Sequence, residues 1–238
     1  MTNEEFSNGF DTLVNSYRRF KDFDKQEMLD SIEFNEYEKS FYLTKAQEEV
    51  VTNLYNGKNP YGDSFEGTEE MRRYLDALVS TKVYSSEDTV EVDTKVSPSS
   101  VFYKLPDDLA FITMEQVKFG DESLGCFNRS FANVYPVTQD EYSRVKNNPF
   151  RGPTRYKVLR LDAGEKLVEL VSKYGIEEYL VRYMKRPTPI ILESLPNEIT
   201  IEGVNEETEC ALNSTLHNTI LERAVQMALQ SKGISVSK

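Results

Sequence analysis

Apolar residues recur at three- and four-residue steps near both ends of the chain and alternate with polar residues between them. Over residues 3–20, Phe6, Phe10, Leu13, Val14, Tyr17 and Phe20 fall on one helical face. Asp24 followed by Glu27 has the spacing of a capping box and predicts the start of a short second helix. Thr44 followed by Gln47 predicts another start, for a helix that carries Val50, Val51, Leu54 and Tyr55 and stops at Gly57. Residues 56–67 (NGKNPYGDSFEG), with three Gly and one Pro, read as a loop. Residues 68–80 return to helix, with Met71, Leu75, Leu78 and Val79 turned inward.

The pattern changes at Thr81. Residues 82–84, 89–92 and 101–105 are short β-branched or aromatic runs between Ser, Asp and Pro turns, and 109–118 is a longer strand. Residues 138–146 (TQDEYSRVK) predict one helix among the strands, capped by Thr138 with Glu141 three positions on. A turn at 147–153 (NNPFRGP) precedes a strand pair, 155–161 and 166–172, joined around Gly164, which can supply a positive φ. Residues 177–186 (EEYLVRYMKR) alternate as a strand. Pro187 and Pro189 then remove two backbone donors, so that strand ends there or lies on an edge. An apolar run at 190–192 is broken by Pro196 ahead of 198–204. Finally, residues 214–232 carry Leu216, Ile220, Leu221, Ala224, Val225, Ala228 and Leu229 as a helical stripe closed by Gly233.

A stripe this regular must be covered, and the N-terminal helices offer matching faces. The expected fold is α+β: a helical bundle of the N-terminal helices and the C-terminal helix, with an inserted antiparallel β-sandwich or barrel. The expected divisions are a helical unit at 1–80, a β-rich domain at 81–205, and an extended segment with the closing helix at 206–238. In the competing arrangement the last helix packs on the sheet.

At 238 residues the chain can bury roughly 70% of its unfolded surface without staples. Its 39% hydrophobic share, with 13 Phe, 14 Tyr and no Trp, is that of a globular protein. The net charge of −12 argues against a surface that grips duplex DNA, though an acidic wall would let a duplex slide past. Cys126 and Cys210 are too far apart to suggest a disulfide framework or zinc knuckle and are expected to be reduced thiols. The first residues (MTNEEFSNGF) lack the basic and apolar regions of a signal peptide, and no run approaches membrane-spanning length. The expectation is a soluble protein of a reducing compartment, with no membrane partner.

Candidate chemistry is sparse. His217 is the only histidine and hence the only possible imidazole base of a nucleophile triad, but no sequence feature supplies its partners. Glu209, Cys210 and His217 fall short of the four ligands of a structural zinc site. Glu91, Asp93 and Lys95 alternate, so on a strand they would share a face. With Asp88 they resemble the carboxylate-and-lysine half of magnesium-dependent nucleases, though in a chain with 29% charged residues such a triplet also arises by chance on a solvated strand face. No phosphate loop or dinucleotide fingerprint is present, and no cofactor is expected. The most concentrated positive charge is Arg182, Lys185 and Arg186, with aromatic Tyr183 among them and Pro187 and Pro189 after them. This cluster suits either a contact with an acidic neighbouring subunit or a solvated strand edge.

The stretches EEYLVRYMKRPTPIIL (177–192), Leu195-Pro196 and ECALNSTLHNTILERAVQMAL (209–229) together resemble connector-ring proteins of tailed bacteriophages. YEKSFYLTKAQEEVVTNLY (37–55), FEGTEEMRRY (65–74) and the step Leu105-Pro106-Asp107-Asp108-Leu109 are similar to the variants of crAss-like phages. The resemblance spans most of the chain. It implies the layout of tail-tubular or adaptor proteins, with helices at both ends and a β-domain between. It further implies a noncatalytic virion protein made in the host bacterial cytoplasm. Such a protein forms a ring, usually of twelve copies, in the head-to-tail connector between portal and tail. DNA passes through its channel during ejection without specific binding.

Overall fold

A computed structural model describes residues 1–21, 33–58, 62, 64, 65, 67–196 and 198–234. The short helix expected after Asp24 and the side chain of Phe20 lie outside the described residues. The chain forms two compact units: Met1–Leu78 with Pro187–Lys238, and Val79–Arg186. Residues 187–205, read from their pattern as part of the β-region, thus cluster with the helices.

In the first unit, α1 (Asn3–Lys21) and α2 (Glu36–Asn56) both pack against α5 (Ser214–Ser231). The repeating stripes supply the contacts: Phe6, Phe10 and Val14 from α1, and Ile220, Ala224, Val225 and Ala228 from α5, are all buried. Helix α1 approaches closely at Gly9, where a Cβ would stand 2.8 Å from Leu221 Cδ2. Arg223 forks onto Glu49 with Nε–Oε2 at 2.9 Å and Nη2–Oε1 at 2.8 Å. A short α3 (Glu69–Leu75), capped by Thr68, turns Met71 and Leu75 inward. A 3-10 turn at Asp76–Leu78 ends the helical stretch, and strand begins at Val79 instead of after Ser80.

Helix α2 starts eight residues before the capping box expected at Thr44. Asn35 is its N-cap and forms the reciprocal box with Glu38, while Gly57 ends it with φ of 73°. Thr44 is therefore in mid-helix and buried, with a different task. Its Oγ1 accepts from Ile190 N–H at 3.1 Å and also lies 3.3 Å from Ile190 O. Ser40 Oγ accepts from Leu192 N–H at 3.0 Å, and Gln47 Nε2 donates to Thr188 O at 2.7 Å. One polar row of α2 thus satisfies the backbone of the extended segment after Pro187, whose other side pairs with Thr208 through Ile191. Buried backbone needs such partners, and here a helix supplies them in place of a neighbouring strand.

The second unit is one curled eight-stranded sheet. Its strands are β1 (Val79–Ser85), β2 (Thr89–Val90), β3 (Val101–Lys104), β4 (Leu109–Phe119), β5 (Phe131–Pro136), β6 (Lys157–Gly164), β7 (Leu167–Val171) and β8 (Ile176–Lys185). Their order is β1-β8-β4-β5-β6-β7-β3-β2. All neighbours are antiparallel except β5 and β6, whose crossover carries α4 (Gln139–Val145), capped by Thr138 as expected. The β6–β7 hairpin turns through Glu165 and Lys166, at φ of 47° and 60°, directly after Gly164 at φ of 88°, which pairs with Leu167. Strand β8 is central and ends at Lys185, just before the prolines. One sheet face gathers Tyr84, Tyr103, Val117, Phe119, Val158, Leu170, Tyr179 and Val181 into the main core. On the other face, Leu159, Leu161 and Val171 are covered by Tyr142 and Val145 of α4.

Candidate functional site

The nuclease set does not assemble. Strand β2 stops at Val90, so Glu91, Asp93 and Lys95 lie on irregular chain and the alternation that would align them is lost. Asp88 caps its own turn, accepting from Ser85 N–H at 2.7 Å and from Ser85 Oγ at 2.9 Å. Those hydrogen bonds hold its carboxyl below the usual range. The loop beyond is tied down by buried Glu169, whose Oε1 accepts from Val96 N–H at 2.8 Å and from the Ser100 hydroxyl. No group of three His, Cys, Asp or Glu that could hold a metal occurs among the described residues.

His217 is buried in the helical unit. Its Nε2–H donates to Leu212 O at 3.0 Å, its Nδ1 faces the Met1 ammonium at 2.7 Å, and its ring lies 5.3 Å from that of Phe6. Burial pushes its pKa down; the Leu212 carbonyl opposes this and the ammonium adds to it. This is a packed, neutral imidazole with both nitrogens engaged. Cys126 is an exposed free thiol. Cys210 is half-buried and donates to Gln47 Oε1 at 3.3 Å, and burial raises its pKa. No described helix is long and apolar enough to cross a membrane.

The basic cluster divides by burial. Arg182 and Arg186 are exposed, Lys185 is half-buried, and none of the three forms an ion pair among the described residues. Tyr183 points into the core, with its hydroxyl 3.2 Å from Asp108 Oδ1, and Pro187 and Pro189 are buried. These last three pack within their own chain. The strand's period of two puts Arg182 on one face with Leu180, and Tyr179, Val181 and Tyr183 on the other.

The sheet also holds a charged group that no local pattern announces. Glu115 of β4 and Arg160 of β6 are 5% and 11% exposed at their side chains and meet at 2.6 Å (Oε2–Nη1). Tyr179 of β8 donates its hydroxyl to Glu115 Oε1, and Asp162 Oδ1 approaches Arg160 Nε at 3.2 Å. Burial first, then the Glu115 charge, drives the Tyr179 pKa upward, so its hydroxyl stays a donor. Its ring packs against those of Tyr84 and Tyr103, at 5.6 and 5.2 Å between centroids. Burial also pushes the Tyr103 pKa up to about 12. With its charges paired and the Tyr179 hydroxyl donating to Glu115, this group ties three strands together, while Arg160 Nε stays buried without a hydrogen bond.

Comparison with known proteins supplies what the side chains do not. The family described as "Phage tail ring protein 3/4" matches residues 1–238. "Ring protein 3" of Bacteroides phage crAss001 is 48% identical over 233 residues, covering 98% of this chain and 96% of that protein. "Ring protein 4/5" of the same phage is 33% identical over 243 residues, covering 96% and 92%.

Proposed function

The chain belongs to the phage tail ring protein 3/4 family, and from that premise we propose that it is a noncatalytic subunit of one ring in the head-to-tail connector. The ring stands between portal and tail and closes with twelve copies. DNA passes along its channel during ejection without being bound by sequence. The observation that carries this reading is the extent of the match: 48% identity across 98% of the chain to a protein named for its ring. The likeness spans both compact units of the chain, which supports reading it as a whole ring subunit.

The mechanism is geometric and electrostatic. Identical heterologous contacts rotate each copy into the next until the ring closes. A subunit carrying −12 resists association with its own kind, and an acidic channel wall repels phosphate, which favours passage over retention. Arg182 and Arg186, exposed and without an ion pair among the described residues, are assigned to acidic side chains of another chain, with Lys185 beside them. Rim pairs of this kind act on encounter and are screened over about 8 Å at physiological salt, so assembly weakens as salt rises.

Imaging whole virions beside the purified protein tests the reading, with native mass spectrometry to count subunits. A closed ring at one vertex, and twelve copies per particle in solution, are expected. A protein that stays monomeric and is absent from purified virions would refute it.

A further inference from the structure

The crossover from β5 to β6 ends in a rigid tip that carries an unusual side chain. Phe150 is 91% exposed, although a Phe is among the residues most favoured in a core. The tip is built to hold it there. Asn148 Oδ1 accepts from Phe150 N–H at 2.9 Å and from Arg151 N–H at 3.2 Å. Gly152 N–H donates to Asn148 O at 2.7 Å, and Asn148 N–H to Val145 O at 2.9 Å. Gly152 is buried, and a Cβ there would stand 2.7 Å from Asn148 O and 3.0 Å from Val145 O, both backbone atoms.

The same end of the sheet gathers more of this chemistry, because parallel strands β5 and β6 both begin there. The Arg155 guanidinium lies 4.2 Å over the Phe127 ring and 4.6 Å over that of Tyr156, both rings being exposed. Arg129, Arg151 and Arg155 are exposed and form no ion pair among the described residues. Exposed arginine set among aromatics on a preformed loop is the composition of an interface centre.

The other unit carries the complement. Residues 193–209 (ESLPNEITIEGVNEETE) contain six Glu and no Lys, Arg or His. Their folding is also preformed. Leu195 N–H donates to Asn205 O at 2.8 Å, Ile201 pairs with Val204, and Glu202 is pinned to Lys45 at 3.1 Å. Glu198, Glu206 and Glu209 remain exposed without an ion pair among the described residues, and Ile199, next to Glu198 in the chain, is an apolar side chain 42% exposed.

We infer that the Phe150 tip of one copy docks on the acidic 193–209 segment of the next, with Phe150 against Ile199 and Arg151 and Arg155 against Glu198, Glu206 and Glu209. The inference rests on the ring reading and deepens it, because two unlike patches on one chain make the head-to-tail contact that ring closure requires.

A charge swap tests it. One variant carries Arg151→Glu and Arg155→Glu, and a second carries Glu206→Lys and Glu209→Lys. Each alone juxtaposes like charges and is expected to lose the ring, leaving folded subunits by circular dichroism. An equimolar mixture restores opposite charges at every contact and is expected to regain it in mass photometry. Phe150→Ala should raise the concentration for half-assembly at least tenfold. Rings formed by either charge variant alone, or a mixture of folded variants that builds none, would overturn the docking and leave the ring reading intact. Wild-type protein that builds no ring in parallel would sink both. Labelled duplex DNA is included: binding by the wild type that the Arg151→Glu, Arg155→Glu variant loses while still forming rings would assign the tip to nucleic acid instead.

Discussion

Replacing Glu115 with Leu should be among the most damaging single changes in the sheet. It removes the carboxylate that faces Arg160 at 2.6 Å and accepts the Tyr179 hydroxyl. Arg160, only 11% exposed at its side chain, would be left charged and buried, with Asp162 at 3.2 Å as a partner that is itself 73% exposed. Breaking a buried pair from one side costs about 3–5 kcal/mol. The orphaned Tyr179 hydroxyl adds a further cost of about 1–3 kcal/mol where relaxation does not relieve it. Asp162 offsets part of this, so the expected net loss is about 4 kcal/mol. At an m-value of about 2 kcal/mol per molar urea, the midpoint of the sheet unit's transition should fall by about 2 M. The triple replacement Glu115→Leu, Arg160→Met, Tyr179→Phe removes all three polar groups together. It should lie within about 1 kcal/mol of the wild type or above it, because apolar replacements of buried ion pairs are often neutral or stabilising. Urea unfolding of the single, double and triple variants measures the coupling. A loss under about 1 kcal/mol for Glu115→Leu alone would refute the reasoning, showing that water reaches the pair.

Three further outcomes are expected. Ile220→Ala should cost about 2–5 kcal/mol in the helical unit, since the side chain is fully buried in α5, whereas exposed Thr219→Ala should change little; equal effects in urea unfolding would move α5 out of the subunit core. Thr44→Val should cost about 1–3 kcal/mol by thermal or urea unfolding, because the Ile190 N–H loses its acceptor in a buried site. For His217 the folded pKa is depressed below the ordinary 6.5, so the fold favours the neutral ring. The stability it contributes is present above about pH 6.5 and is lost as pH falls through the lower folded value, whereas a His217→Gln variant should show a flatter profile below about pH 6.5. Parallel pH profiles for the two proteins would disprove that sign.

The sequence by itself determined what depends on neighbours along the chain. Thr138 caps α4, Gly57 takes the positive φ that ends α2, Gly164 takes a positive φ at the edge of its hairpin turn, Pro187 follows the end of β8, and the α5 stripe runs from Leu216 to Leu229. Each is a contact within a few residues, so spacing encodes it. The family, too, was legible in the motifs at 177–192 and 209–229. Tertiary structure alone decided the rest. The Thr44–Gln47 spacing reads as a cap, yet the extended segment arriving at Ile190 claims both residues as buried hydrogen-bond partners. Glu91, Asp93 and Lys95 alternate, but β2 ends before them, so the alternation has no strand to act on. Strand β5 escaped the pattern altogether, and with it the parallel pair and the end of the sheet where the Phe150 tip emerges. Glu115, Arg160 and Tyr179 come from three strands far apart in sequence, and only sheet register brings them to one face. Register and burial are properties of packed surfaces: a one-residue slip would send each of these side chains to the opposite face without altering the sequence at all.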